Sequence, residues 1–292
     1  YDGIQLRNTA NGSIENTIVE KSPRCGIAVE NSKHVVIRGN DLRYNAMSGI
    51  HAKGCEEGMM VEGNTLTDND GTGIEIEESS QLKIRNNRVE RSTKHGIGLY
   101  FTNNTVVENN TASGSGWFGI PVRGSSGLYG ITREHNSDNN TVRNNTVYNN
   151  GLCPWGGGGI FSKENSNKNT IEYNTIKDNH GQGINVFLES NDNIIRGNTV
   201  QNSKKMGILI EQSNNDTIED NIIENSDQKG IGLQSITGTK IIKNTIKQSG
   251  EEGISLFNSS DCVVEKNKIS GSKGEPIKIS GGTKNMIEDN QS

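Results

Sequence analysis

The chain has 292 residues, of which 29% are apolar and 4% aromatic, too few for a thick globular core but enough for a narrow one filled by a few inward side chains per turn. Its formal net charge of −5 excludes a general nucleic-acid surface, since binding a polyanion needs a basic stripe. No stretch has the length of a membrane span or the charged-then-apolar form of a signal peptide, so no membrane insertion is expected.

A Gly-Ile step followed by alternating inward and outward positions opens at Gly3-Ile4. It recurs at Gly26, Gly49, Gly73, Gly96, Gly119, Gly159, Gly183, Gly207, Gly230 and Gly253, each followed by Ile, and closes at Pro276-Ile277. The step is 23 or 24 residues everywhere except from Gly119 to Gly159. An Asn flanked by β-branched residues keeps the same period, at Asn16, Asn40, Asn64, Asn87, Asn110, Asn145, Asn174, Asn198, Asn221, Asn244, Asn267 and Asn290. Two markers with one period define a solenoid, in which each repeat buries its apolar face only against its neighbours. The repeat spans residues 1–292 as one elongated domain. Because the chain starts inside a repeat, at Tyr1-Asp2-Gly3-Ile4, we expect it to be cut from a longer protein with other domains.

Leucine-rich repeats share this period and carry their own Asn ladder, but they need Leu at fixed places where this chain has mostly Ile and Val. No part of the repeat shows helical spacing. Each holds two or three short alternating runs punctuated by Asn, Gly and Ser, such as Ile37 to Leu42, Val61 to Leu66 and Ile171 to Ile176. The fold class expected is all-β, a right-handed parallel β-helix of about twelve coils and roughly 55 Å at a strand spacing of about 4.8 Å. Asn at the corners is expected both to adopt the left-handed conformation and to hydrogen-bond to its equivalent in the next coil. The Gly before each Ile is expected where the chain turns too tightly for a Cβ. No obvious cap closes either end.

This pattern resembles the parallel β-helix repeat family, which includes NosD-like periplasmic proteins and carbohydrate-binding and sugar-hydrolase modules. The wider pectate-lyase-like superfamily adds polysaccharide lyases, alginate epimerases, pectin hydrolases and archaeal surface-polysaccharide disaggregatases. The resemblance covers nearly the whole chain through its coil motifs. It implies an extracellular or cell-surface protein with a polysaccharide partner. The sequence has no Asp-Pro-His of alginate epimerases and no Asn-Thr-Asp or Arg-Ile-Lys of pectin hydrolases, so function must be argued from the site.

The repeat breaks once. From Gly119 to Asn145 the gap is 26 positions instead of 14 or 15, which places an insertion within 124–139. From Asn145 to Gly159 it is 14 instead of 9, which places a shorter one within 151–157. One leaves the end of a Gly-Ile strand and the other enters the start of the next, so both should wall a groove on that outer face.

Alternation puts two outward columns on this face. The first runs Ala28, His51, Glu75, Gly98, Pro121, Phe161, Asn185, Leu209, and the second Glu30, Lys53, Glu77, Tyr100, Arg123, Lys163, Phe187, Glu211. His51 should then adjoin Glu75, and Glu77 should sit between Lys53 and Tyr100. Away from this patch the columns turn to Gly232, Ser255, Gln234 and Phe257, which offer little chemistry.

Glu75 and Glu77, with α-carbons about 6.6 Å apart on one strand, form the carboxyl pair a glycosidase needs, and crowding should raise one pKa toward that of a proton donor. His51 and His95 are candidate bases or orienters of a carboxylate. Lys53, Tyr100, Trp117, Phe118, Arg123, Trp155, Lys163 and Asn185 are candidate substrate-binding residues. Among them Arg123 and Lys163 suit a uronate carboxylate and the aromatics suit the apolar faces of sugars. Arg133, Glu134 and His135 could close over a ligand from the long insertion.

No cofactor is expected, although Glu56 and Glu57 with Glu77 and Glu78 could hold calcium, which lyases of the resembling fold often use. Cys25, Cys55, Cys153 and Cys262 fall at different repeat phases with no metal-type spacing and read as buried free thiols. Sequons such as Asn109-Asn-Thr111 arise from the Asn-rich corners and carry no inference of glycosylation.

The expected function is cleavage of a uronic-acid-containing polysaccharide by carboxylate acid/base hydrolysis in a groove over the central coils. The alternatives are a uronate lyase or epimerase, in which His51, His95 or Tyr100 moves the proton, and a non-catalytic carbohydrate-binding or stalk module.

Overall fold

Short runs of Ile, Val and Thr favour extended backbone, and a single left-handed residue ends nearly every run, so the chain is bent into strands of mostly three or four residues. A computed structural model describes residues 1–125, 136–154 and 156–292. Trp155 and the Arg133, Glu134 and His135 trio lie outside the described residues. Strands at equivalent repeat positions pair in parallel and in register, giving three sheets of 12, 12 and 11 strands wound as a β-solenoid of about twelve turns. No helix is present among the described residues.

The first sheet is built from the Gly-Ile strands. Ile74 pairs with Ile50 on one side and Ile97 on the other, so the inward columns stack like on like. Ile74, Ile76, Ile97 and Leu99 are fully buried, as are the central residues of most strands in the other two sheets, such as Ile84 and Val89. Each fully buried Ile or Leu contributes about 1.5–3 kcal/mol, and this narrow axial column is the whole core.

The Asn ladder forms as a chain of amides. Asn110 Nδ2 donates to Asn145 Oδ1 at 3.1 Å, and Asn145 Nδ2 donates to Asn174 Oδ1 at 3.0 Å, so the ladder passes through the coil that carries the insertions. Two details differ from expectation. The ladder residues do not take the left-handed conformation; the residue before each does, as at Gly39, Asn86, Tyr173 and Lys266. An inward amide must lie flat against its neighbour, while the bend needs an outward residue, so one position cannot serve both purposes. Asn16 is out of phase for the same reason: it takes φ 52° at the bend, and Thr17 instead meets Asn40 Oδ1, at 3.0 Å.

A second ladder stands five residues after the first, at Asn45, Asn69, Ser92, Ser115, Asn150, Asn179, Ser203, Ser226, Ser249 and Ser272. The Gly before each Ile sits beside it with ordinary backbone angles. A Cβ at Gly49 would lie 2.6 Å from Leu66 and 2.9 Å from the Gly73 carbonyl, so close approach between coils, not the turn, requires glycine there.

Cys25, Cys55 and Cys262 are buried free thiols, and Cys153 is a half-buried one in the shorter insertion.

Candidate active site

The two strands that flank the insertions, Phe118–Arg123 and Gly158–Lys163, are six residues long where the others in the first sheet have four. The extra residues lengthen the outer face at the place where side chains of the two outward columns change character. Both columns have the register expected: Glu75 lies between His51 and Gly98, Glu77 between Lys53 and Tyr100, Tyr100 beside Arg123, and Arg123 beside Lys163.

The acidic strand Ile74–Glu77 is tied to the coil before it. Ser48 donates its hydroxyl proton to Glu75. His51 bonds on the diagonal, its Nε2 3.4 Å from Glu77 Oε2, so the neighbour in register is not the ion-pair partner; the imidazole is long enough to reach the second column. Lys53 Nζ lies 3.6 Å from Glu77 and 3.2 Å from Glu78.

Burial disfavours the His51 cation, but hydrogen bonds to Cys25 and Glu77 and the charges of Glu75 and Glu77 outweigh it, and its pKa is pushed up to about 10. For Glu77 the hydrogen bond from His51 is the strongest influence. Opposed by partial burial and helped by the charges of His51 and Lys53, it holds this carboxyl below the usual range. The rise expected for one of the two acids does not fall on Glu77, because the cations of His51 and Lys53 stand 3.4 and 3.6 Å from its carboxyl.

Tyr100 folds back along its own strand. A Cβ on Gly98 would meet its ring and hydroxyl at 2.6 Å, so the phenol occupies the gap that Gly98 leaves in the first column. Burial raises its pKa, as does the charge of Glu75, while the side-chain hydrogen bond with Thr72 works the other way, and the group stays a neutral phenol. His95 is buried among aromatic rings, stacked on Phe118 at 5.9 Å and edge-on to Trp117 at 5.2 Å. Desolvation, with the charges of Lys94 and Arg123, lowers its pKa to about 3. Its Nδ1 accepts from the Phe118 amide at 3.2 Å, which leaves the proton of the neutral ring on Nε2. His95 is thus a neutral donor and a poor base.

Two cavities share a wall made of His95, Tyr100, Trp117 and Arg123. The first, about 310 Å³, is lined by Thr72, Glu75, Glu77 and Lys94. The second, about 360 Å³, is lined by Phe118, Phe161, Phe187, Asn185 and Lys163, with Gly156 and Gly157 of the shorter insertion closing its edge. Phe118 stacks on Phe161 at 4.4 Å, and Lys163 Nζ lies 5.3 Å from the centroids of both Phe161 and Phe187. Asn185 is 9% exposed and its side-chain oxygen has no hydrogen-bond partner among the described residues.

The structure gathers Glu75, Glu77, His95, Tyr100, Trp117, Phe118, Arg123, Lys163 and Asn185 along this groove, with His51 and Lys53 behind the acids. Glu164 escapes a reading based on alternation, because it follows the last outward residue and sits at the corner with φ 58°. Phe161, Phe187, Gln182 and Lys205 also line the groove. The first two stand in the outward columns, where scarcity of aromatics is the signal that could have marked them. The four acids considered for calcium do not converge. Glu57 faces Lys33 and His34, and Glu77 and Glu78 face Lys53. Among the described residues no three His, Cys, Asp or Glu side chains group as metal ligands.

The family model described as right handed beta helix region matches residues 1–133 and 124–200, so the chain belongs to the right-handed β-helix family. A second model, the periplasmic copper-binding protein NosD, matches residues 185–291. No curated protein matches the sequence. Among solved structures the chain is similar to the A-module of the mannuronan C-5 epimerase AlgE4 of Azotobacter vinelandii, at 14% identity and TM-score 0.67 over 97% of this chain and 90% of that one. It is also similar to the catalytic unit of a GH87 α-1,3-glucanase of Streptomyces thermodiastaticus, at 12% identity and TM-score 0.57 over 99% and 63%. A periplasmic alginate epimerase, AlgG, aligns at 13% identity and TM-score 0.64 over 90% and 76%. At these identities the likeness is one of fold.

Proposed function

We propose that the protein is a carbohydrate-active enzyme that hydrolyses a polysaccharide lying across the central coils, with Glu75 and Glu77 as the catalytic carboxyl pair. The observation that carries this reading is the double groove: paired carboxyls in one half, stacked aromatic rings in the other, and a shared wall between them. A sugar chain spanning that wall has ring faces to stack in the aromatic half and a linkage within reach of the acids. Glu77, kept ionised by His51 and Lys53, is the nucleophile or base, and Glu75 is its acid partner. That similar folds include a glucanase and alginate epimerases supports a carbohydrate substrate. An extracytoplasmic setting, extracellular or at the cell surface, fits a polymeric substrate and agrees with the periplasmic NosD and AlgG.

A second reading, lyase or epimerase, is favoured by one arrangement: the neutral Tyr100 phenol over Gly98, beside the cations Arg123 and Lys163. There the cations neutralise a uronate carboxylate and Tyr100 carries the proton. Incubation with a panel of neutral, uronic-acid and amino-sugar polysaccharides separates the two. New reducing ends without ultraviolet absorbance are the expected result. Absorbance of an unsaturated product, or altered polymer stereochemistry by proton resonance, replaces hydrolysis with the second reading. Binding without either change leaves a carbohydrate-binding module.

A further inference from the structure

Resting on the carbohydrate reading of the groove, we propose that Glu164 makes the aromatic half the subsite for an acidic sugar unit, by clamping Arg123 and Lys163 into a cationic wall. Glu164 follows the strand Gly158–Lys163 and its side chain is 4% exposed. Its two oxygens hold different cations: Oε2 lies 2.5 Å from Arg123 Nε and Oε1 lies 2.9 Å from Lys163 Nζ.

Arg123 and Lys163 are partners in register on adjacent strands, so their backbones stand about 4.8 Å apart and their charges repel. A buried carboxylate between them offsets that repulsion and fixes both heads. Because it engages Arg123 through Nε, the two terminal nitrogens of the guanidinium remain for a ligand. Lys205 adds a third cation to the lining, and no carboxylate lines this cavity among the described residues. Three cations against one buried carboxylate leave an excess of two positive charges facing a space lined by aromatic rings and neutral polar groups.

A neutral sugar would have to strip water from these cations without replacing it, a cost that a sugar carrying a carboxylate or a sulfate repays. The unpartnered oxygen of Asn185 is placed to accept a hydroxyl proton from the same unit. Glu164 touches no ligand in this scheme. It is a positioning residue.

Affinity electrophoresis through gels holding alginate, polygalacturonate, dextran sulfate, dextran or starch tests the proposal. The wild-type chain should be retarded by an acidic polymer more than by any neutral one. The carboxylated and sulfated gels show which anion the wall takes. Lys163→Met should weaken that binding about tenfold, the worth of one charge-assisted contact. Glu164→Gln should also weaken it about tenfold although it makes the protein more positive, and Glu164→Asp should restore most of it. Tighter binding by Glu164→Gln would reduce the cations to unspecific attraction and overturn the proposal. Should Glu164→Gln fail to fold by circular dichroism, Lys163→Met decides. Equal retardation by neutral and acidic polymers overturns the acidic subsite and leaves the carbohydrate reading in place. Retardation by no polymer overturns both.

Discussion

The coils between Ile74 and Phe187 and those between Ile208 and Phe257 share one architecture and differ in almost everything that faces solvent on the first sheet. In the central coils the outward columns hold acids, cations and aromatic rings, and the strands beside the insertions are lengthened. In the later coils the same columns hold Leu209, Glu211, Gly232, Gln234 and Ser255, with Phe257 exposed. The second ladder does not follow this division: Asn150 and Asn179 bond to each other, but the hydroxyls of Ser92 and Ser115 in the central coils, like those of Ser203, Ser226 and Ser249 in the later ones, have no partner among the described residues. The backbone is therefore indifferent to what its outer face carries. A solenoid, stabilised by nearest-neighbour stacking alone, can concentrate chemistry in a few coils without changing its core.

The sharpest way to test that contrast is to remove a carboxylate in each region. Glu77→Gln should lower kcat/KM on the cleaved polymer about 100- to 1,000-fold with the melting temperature little changed, as loss of an acid/base group does. Glu211→Gln, in the same column beyond Phe187, should leave kcat/KM within twofold. Equal losses at both sites would remove Glu77 from the chemistry.

The ladders should behave in the opposite way, costing the same wherever they are cut. Asn110→Ala and Asn244→Ala each orphan buried partners on both sides, and chemical denaturation should show about 1–3 kcal/mol lost at either site. A much smaller loss at Asn244 would mean that the later coils fray before the main transition.

Two glycines in the first column refine the comparison. A Cβ at Gly98 meets the Tyr100 ring at 2.6 Å, while one at Gly232 meets the end of the flexible Met206 side chain at 2.8 Å. Gly98→Ala should push the phenol off its seat and cost about tenfold in kcat/KM, and Gly232→Ala should be silent in activity and stability. The pair separates a glycine kept for a side chain from one without such a duty.

A further effect expected is a pH dependence confined to the acidic half. The raised pKa of His51 stabilises the fold fully below its ordinary value of 6.5, and that contribution is lost as pH rises through about 10. The depressed pKa of Glu77 stabilises above its ordinary 4.5 and is lost as pH falls through its lower folded value. The melting temperature of His51→Gln should therefore fall furthest below wild type between pH 4.5 and 6.5, and the gap should narrow toward pH 10. A gap that widens toward pH 10 would contradict the His51–Glu77 pairing.

Much of this was legible in the residue order. The period placed the core Ile columns and the register of both outward columns, including Glu77 between Lys53 and Tyr100. The second ladder was equally readable, five residues after each Asn, once Ser is allowed to replace Asn. Asn16 shows the limit: it keeps the spacing of the ladder but occupies the bend, because a 23-residue period tolerates a shift of one that only hydrogen-bond geometry resolves.

What the sequence by itself determined is the coil, its period and the inward and outward sorting of side chains, since all of these follow from strand alternation and stacking of like on like. What only the tertiary structure decided is which outward neighbours bond: His51 with Glu77 rather than Glu75, Tyr100 over Gly98, and Glu164 between Arg123 and Lys163. Register fixes where α-carbons stand to within a strand spacing, but the long side chains of this face reach across that spacing. Their rotamers are settled by desolvation and by competition among charges from several coils at once.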